Sequence, residues 1–211
     1  DYGDGFPQPQ NTEATTIAVD ATGHAYVGGN TNATDIPTTP GSWYATSPAV
    51  GAPLGFLAKL NTDGTGLMYG TYVGAPLEGG AVDAAGSAYA VGGRNLWKVS
   101  ADGSVAAYEF LLGGSGFSLQ DSAQAVAVDS GGNAYVVGNT YSMDLPVTAG
   151  AFQTAMPSPN NPSRAAAFVS KVNPGGTALV YGTNLGNAGQ TYPSAIALDA
   201  AGNAYVTGWL T

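Results

Sequence analysis

Apolar and polar residues alternate along this chain in short runs, each bounded by turn-forming residues. "NAYVVGN", Asn133–Asn139, is typical: its side chains alternate at period two between Asn and Gly, as half-buried strands do. No stretch shows the i, i+3, i+4 spacing of an amphipathic helix, so the pattern predicts strands alone. Two kinds of joint separate them. "DATGH", "DAAGS", "DSGGN" and "DAAGN" follow Asp20, Asp83, Asp129 and Asp199, while "NTDGTG", "SADGS" and "NPGGT" occur further along. Both are hairpin chemistry, in which Asp or Asn accepts backbone N–H bonds across the turn and Gly supplies a positive φ.

The runs form a repeat. "IAVDATGHAYVGGN" from Ile17 returns as "AVDAAGSAYAVGG" from Ala81, "VAVDSGGNAYVVGN" from Val126 and "IALDAAGNAYVTGW" from Ile196. A second half follows it three times: "FLAKLNTDGTGLMYGTYVG" from Phe56, "LWKVSADGSVAAYEFLLGG" from Leu96 and "FVSKVNPGGTALVYGTNLG" from Phe168. Long Pro- and Thr-containing links join the halves in units one and three. In unit two the link shrinks to little more than Gly93-Arg94-Asn95.

Each unit therefore reads as a four-stranded antiparallel meander, too thin to bury both of its faces. Stacking such sheets around an axis solves that problem, and the expected fold is an all-β β-propeller. The antiparallel joints argue against a parallel β-helix. The whole chain, residues 1–211, reads as one propeller segment of about three and a half blades. These lie at about 16–74, 80–114, 124–186 and, for the half blade, 194–211. Ala18, Ala127 and Ala197 in the first strands, with Gly28, Gly92, Gly138 and Gly208 late in the second, fit crowding near the axis. The half blade comprises strands at Ile196–Asp199 and Asn203–Trp209. Asp1–Thr15, rich in Pro, Gly and polar residues, has no counterpart of "FLAKLN" or "LMYGTYV" to complete it. Two arrangements follow: a segment of a longer propeller, or completion by neighbouring copies through strand addition. A closed four-bladed ring made by this chain alone would contradict both.

The motif "IAVDxxGNAYVTG", then "TDxPTTPGAF", then "FVxKLNxxGxxLVYxTYLGG" resembles the bacterial SBBP-type β-propeller repeat and is more distantly similar to NHL repeats. The resemblance runs from Thr16 to the end, with unit two departing from it in lacking the "D-x-P" link. It implies a propeller fold and an extracellular or cell-surface bacterial location, and it implies no defined activity.

Composition narrows the function classes. Charged residues make up 9% of the chain, against about 25% in an average domain. Low charge with much Thr, Asn, Gly and Tyr suits secreted and surface β proteins. Fourteen acidic against five basic residues give a net charge of −9, which disfavours nucleic acid and anionic membranes. No apolar run reaches the roughly 18 residues of a membrane helix. Without an apolar leader, Asp1 reads as a mature N-terminus left by processing. Cysteine is absent, which removes disulfides and thiolate chemistry.

Candidate catalytic residues are few. His24, the sole histidine, occupies a turn position filled elsewhere by Ser87, Asn133 and Asn203, so it reads as structural. The repeated Asp residues lack the alternating carboxylates and closing Glu of a calcium loop, and turn capping accounts for them. Asp35 and Asp144 on the links read the same way. Lys59, Lys98 and Lys171 recur at one strand position, which suits snorkelling or pairing with acidic neighbours better than nucleophilic chemistry. Glu13, Glu78 and Glu109 form no evident catalytic pair. Neither a catalytic residue, a metal site nor a cofactor is expected. The recurring tyrosines read as packing between blades. Trp43, Tyr44 and Phe152 in the links are ligand-binding candidates, able to stack on sugars or to tuck onto a blade edge. "Asn32-Ala33-Thr34" is a glycosylation sequon. The function expected is a non-enzymatic structural or interaction scaffold, secreted or at the cell surface, contacting protein or glycan and able to self-associate through the half blade. A lectin-like carbohydrate binder is the alternative, and an axial-channel lyase or hydrolase is a third class.

Overall fold

The computed structural model describes residues 10–49, 52–114, 121–157, 164–187 and 189–211. Fourteen strands and no helix form among these residues. The first blade contains β1 (Thr12–Val19), β2 (Ala25–Thr31), β3 (Leu54–Leu60) and β4 (Leu67–Val73). The second contains β5 (Gly79–Val82), β6 (Ala88–Gly92), β7 (Asn95–Val99) and β8 (Ala106–Leu111). The third contains β9 (Ser122–Val128), β10 (Ala134–Thr140), β11 (Ala166–Val172) and β12 (Leu179–Leu185). A fourth, two-stranded sheet pairs β13 (Thr191–Leu198) with β14 (Ala204–Leu210). Every pairing is antiparallel and joins strands consecutive in the chain, as the two hairpin joints require. The reading of Asp1 as a processed terminus lies outside the described residues.

The first strands meet in series, β1 with β5, β5 with β9 and β9 with β13. Among the described residues no contact of comparable extent joins β13 back to β1, so the blades form an open stack. Two apolar cores lie between them. Tyr26, Leu57 and Tyr69 of the first blade pack with Ala90, Trp97 and Val99 of the second. Val91, Leu96 and Leu112 of the second pack with Val136, Phe168 and Val172 of the third. Burial of each large apolar side chain contributes about 1.5–3 kcal/mol, and only a neighbouring blade provides that burial. The faces at the two ends of the stack accordingly expose Ile17 and Val19 on β1, and Tyr205 on β14.

Two details differ from the sequence reading. The first strands begin earlier than expected, at Thr12, Ser122 and Thr191 in blades one, three and four. A β-bulge explains this: Thr15, Gln124 and Ser194 are each an extra residue against the second strand, and they interrupt the period-two pattern there. The glycine facing that bulge in the first blade is Gly29, not Gly28. A Cβ on Gly29, Gly138 or Gly208 would collide with the carbonyl oxygen of Glu13, Ser122 or Tyr192. These glycines thus answer a close backbone approach within each hairpin, while Gly28 crowds only the Thr16 and Leu57 side chains.

The long links lie along the outer edges of β4 and β12. Thr39 N–H donates to Gly70 O and Tyr72 N–H to Tyr44 O in the first blade. Thr148 N–H donates to Gly182 O and Asn184 N–H to Gln153 O in the third. They cover strand edges that would otherwise invite pairing. The second blade has no long link, and β8 alternates between half-buried and exposed.

Candidate interaction site

Each first hairpin turn is built on its Asp. Asp20 Oδ1 accepts from the N–H groups of Thr22 and His24, both at 3.0 Å. Asp83 does so from Ala85 and Ser87, Asp129 from Gly131 and Asn133, and Asp199 from Ala201 and Asn203. The glycine that closes each turn has φ between 79° and 90°. The second carboxylate oxygen receives the phenol six residues on: Tyr26, Tyr89, Tyr135 and Tyr205, at 3.1–3.2 Å.

In three blades that phenol does more. Its oxygen also lies 2.9–3.2 Å from a carbonyl in the next blade's turn, Gly86 for Tyr26, Gly132 for Tyr89 and Gly202 for Tyr135. A lysine from the third strand completes the node. Lys59, Lys98 and Lys171 approach Asp20, Asp83 and Asp129 at 3.9, 3.1 and 3.3 Å. Each ammonium also sits 4.5–4.9 Å from the tyrosine ring centroid. A fourth-strand tyrosine meets that ring edge-on, in the pairs Tyr26–Tyr69, Tyr89–Tyr108 and Tyr135–Tyr181. The node therefore stitches turn to strand and blade to blade.

The electrostatics agree with a structural role. Burial opposes ionisation of Asp20, Asp83 and Asp129, but hydrogen bonds from the turn amides, neighbouring side chains and the phenols outweigh it. The lysine adds to this at Asp83 and Asp129. All three carboxyls are held below the usual carboxylate range. Burial, reinforced by the adjacent carboxylates, pushes the Tyr26 and Tyr89 phenols well up. A charged carboxylate beside a neutral phenol is a clamp; it offers no group poised for proton transfer near neutral pH. His24 belongs to this clamp. Its Nδ1 lies 3.1 Å from Asp20 Oδ2, the position Asn133 and Asn203 Nδ2 take on Asp129 and Asp199. Among the described residues no three His, Asp or Glu side chains gather in a metal-binding group.

The fourth copy of the node differs. Asp199 and Tyr205 keep their bond, yet Tyr205 is 60% exposed and, among the described residues, no lysine reaches Asp199. On the opposite face of β14, towards the third blade, lies an apolar groove of about 430 Å³. Phe152, Leu185, Tyr192, Gly208 and Trp209 line it, with Tyr192 stacked on Trp209 at 4.3 Å between centroids.

The link aromatics separate in this setting. Trp43 packs against the core between the first two blades, and its backbone N–H donates to Gly103 O of the second blade at 2.8 Å. Tyr44 is pinned by backbone bonds to Thr71 and Tyr72. Phe152, the counterpart of Trp43, is 84% exposed at the groove. The sequon residue Asn32 is half-buried, and its side-chain oxygen accepts from Asn11 N–H at 2.6 Å. Sequence reasoning missed the groove because it is made by residues far apart in the chain. Trp209 and Tyr192, two aromatics on paired strands of an unaccompanied hairpin, were the available signal.

The SBBP β-propeller repeat model matches residues 5–37, 111–146 and 180–209. The matches, just under half of the chain, fall mainly on the first halves of units one, three and four, and show that the chain is similar to SBBP repeats there. No curated protein matches the chain. Among solved structures, a protein of unknown function from Bacteroides caccae is 13% identical with a TM-score of 0.50; the match covers 95% of this chain and 55% of that one. A luciferin-regenerating enzyme is 14% identical over 94% of this chain and 54% of that one, at a TM-score of 0.49. A Lactobacillus plantarum protein is 16% identical over 98% of this chain and 67% of that one, at 0.43. At 13% identity the likeness to the Bacteroides caccae protein speaks to fold alone. The chain spans about half the length of the first two.

Proposed function

We propose that this chain is a non-enzymatic interaction scaffold, secreted or displayed at the cell surface, whose contact surface is the groove beside β14. The groove carries the reading: Phe152 and Trp209, both lining it, expose 84% and 55% of their surface, whereas Trp43, the counterpart of Phe152, is half-buried against the core between the first two blades. The titratable groups of the recurring node support the non-enzymatic part, since each is committed to a turn or a blade contact. The SBBP repeat is compatible with an interaction module, and low charge with abundant Thr, Asn and Tyr supports the location.

The exposed pair also gives the lectin-like reading a specific form, because Phe152 and Trp209 present flat apolar faces on which a sugar could stack. A glycan array separates the two. The scaffold reading expects no glycan to bind in a manner that depends on Phe152, and robust binding lost on Phe152→Ala would overturn it in favour of the lectin. The location is tested by immunodetection on intact source cells and in their medium. Antigen confined to the cytosol would refute it.

A further inference from the structure

The second blade departs from its neighbours at its outer edge. Long links join β2 to β3 and β10 to β11, but β6 turns straight into β7. Gly92 pairs with Asn95, and Gly93, at φ 52°, makes the turn with Arg94. No link is then available to lie along β8. Among the described residues no strand or link bonds its outer edge, although the blade has a neighbour on each side.

One residue marks the difference. Tyr69, Tyr108 and Tyr181 stand opposite Lys59, Lys98 and Lys171, and the residues after them are Gly70, Glu109 and Gly182. In the first and third blades a link crosses that position: a Cβ on Gly70 or Gly182 would collide with the carbonyl oxygen of Pro37 or Pro146. Glutamate bars a segment that runs as the links do and presents a carboxylate in its place. Glu109 is exposed, and its side chain has no hydrogen bond or ion pair among the described residues. The backbone groups that the links engage are open as well. Gly70 O and Tyr72 N–H bond the first link, as Gly182 O and Asn184 N–H bond the other. By the same register Glu109 O and Leu111 N–H point outward from β8. Leu111 is 54% exposed.

We infer that the outer edge of β8 docks an extended segment of a basic partner protein, with a lysine or arginine opposite Glu109 and an apolar residue opposite Leu111. The pairing is antiparallel, the more stable of the two kinds. It places the apolar residue two positions before the cation, so the segment reads apolar–x–Lys/Arg. Backbone bonds along the edge supply affinity, and the pair at Glu109 supplies register and choice of partner. Charge complementarity favours this occupant. A net charge of −9 attracts a basic protein and opposes pairing with a second copy, whose β8 brings another glutamate. This surface lies on a different blade from the β14 groove and does not depend on it.

The probe is the end-blocked peptide Thr-Thr-Val-Thr-Lys-Thr-Ala-Thr, titrated into the isotope-labelled intact chain and followed by amide NMR. The signals of Ala107, Glu109 and Leu111 should shift and their hydrogen exchange should slow. Those of Gly70 and Tyr72, already bonded to a link, should stay unchanged. Arginine in place of the peptide's lysine should bind nearly as well, and glutamate there should bind about tenfold more weakly. Higher salt should narrow that gap. Glu109→Lys in the chain should reverse the order, so that the glutamate peptide binds better. The peptide series decides the question by itself should that variant fail to fold. Equal binding of the lysine and glutamate peptides overturns the inference. So does the absence of any shift on β8 up to the solubility limit, which would leave Glu109 a guard against edge pairing and nothing more. Slow exchange of Ala107, Glu109 and Leu111 in the peptide-free chain overturns it too: in a monomer the edge would already be covered, and in a dimer seen by light scattering the occupant would be a second copy.

Discussion

Removing one hydroxyl at a time tests whether the Asp–Tyr–Lys node holds blade to blade. Tyr89→Phe keeps the fully buried ring and its edge-on contact with Tyr108. It deletes a hydroxyl shared between Asp83 Oδ2 and Gly132 O, each at 3.2 Å. Hydrogen bonds to charged groups are worth about 1.5–3 kcal/mol, and the Gly132 carbonyl would lose its phenol donor. The two acceptors share one proton, so the expected loss is about 2 kcal/mol rather than a sum. For a chain of this size that lowers Tm by about 4–8 °C. Two controls set the scale. Tyr205→Phe removes an exposed phenol with a single bond to Asp199, and should cost less than about 0.5 kcal/mol. Tyr108→Phe removes a buried hydroxyl with no partner among the described residues, and should be neutral or slightly stabilising. Urea unfolding and calorimetry on the purified variants measure all three. A Tyr89→Phe cost no greater than that of Tyr205→Phe would refute the reasoning, because ring packing alone would then account for the conserved geometry within the chain.

Gly176→Ala should destabilise far more than Gly64→Ala. Both carry positive φ, which costs about 1–2 kcal/mol in any residue with a Cβ, but Gly176 also abuts the Tyr108 ring while Gly64 has nothing within 4 Å. Overpacking adds about 1–3 kcal/mol, and equal losses in thermal melts would contradict the inter-blade contact. Acid should weaken the fold through Asp20, Asp83 and Asp129, whose native carboxyls ionise at lower pH than in the unfolded chain. Their contribution is complete above about pH 5 and falls away as pH drops through about 4 towards the native values, so urea midpoints should decrease steadily from pH 5 to pH 3. A midpoint that rises over that interval would show the carboxylates to be destabilising. Gly138→Ala forces a Cβ against Ser122 O and should unfold or severely destabilise the third blade, whereas Gly41→Ala, facing open space, should cost only its positive φ.

Much of this fold is legible in the sequence because its determinants are local. A period-two strand, an Asp that caps its own turn and a glycine at positive φ all lie within a dozen residues, and each recurs in register. Of the two readings of Lys59, Lys98 and Lys171, snorkelling or pairing with acidic neighbours, the structure shows the second, with Asp20, Asp83 and Asp129 as the partners. What escaped was set by contacts across distance. The bulges at Thr15, Gln124 and Ser194 blur alternation where each first strand begins, so those strands look shorter than they are. Gly28 and Gly29 are indistinguishable as letters, and only the carbonyl of Glu13 makes the second one obligatory. Trp43 and Phe152 occupy matching link positions, yet the Gly103 turn beside one and the open groove beside the other give them opposite exposure. The roles of Gly103 and Gly176 were hidden likewise, because a turn glycine looks the same whether or not a tyrosine lies beneath it.

Residue-resolved amide hydrogen exchange on the isolated chain tests the central claim most directly. Strands flanked on both sides, β2, β3, β6, β7, β10 and β11, should exchange slowly along their whole length. On β14 only the amides bonded to β13 should be protected, with the alternate ones exchanging fast. Protection of both sets on β14 in the monomeric chain would contradict an open stack of blades.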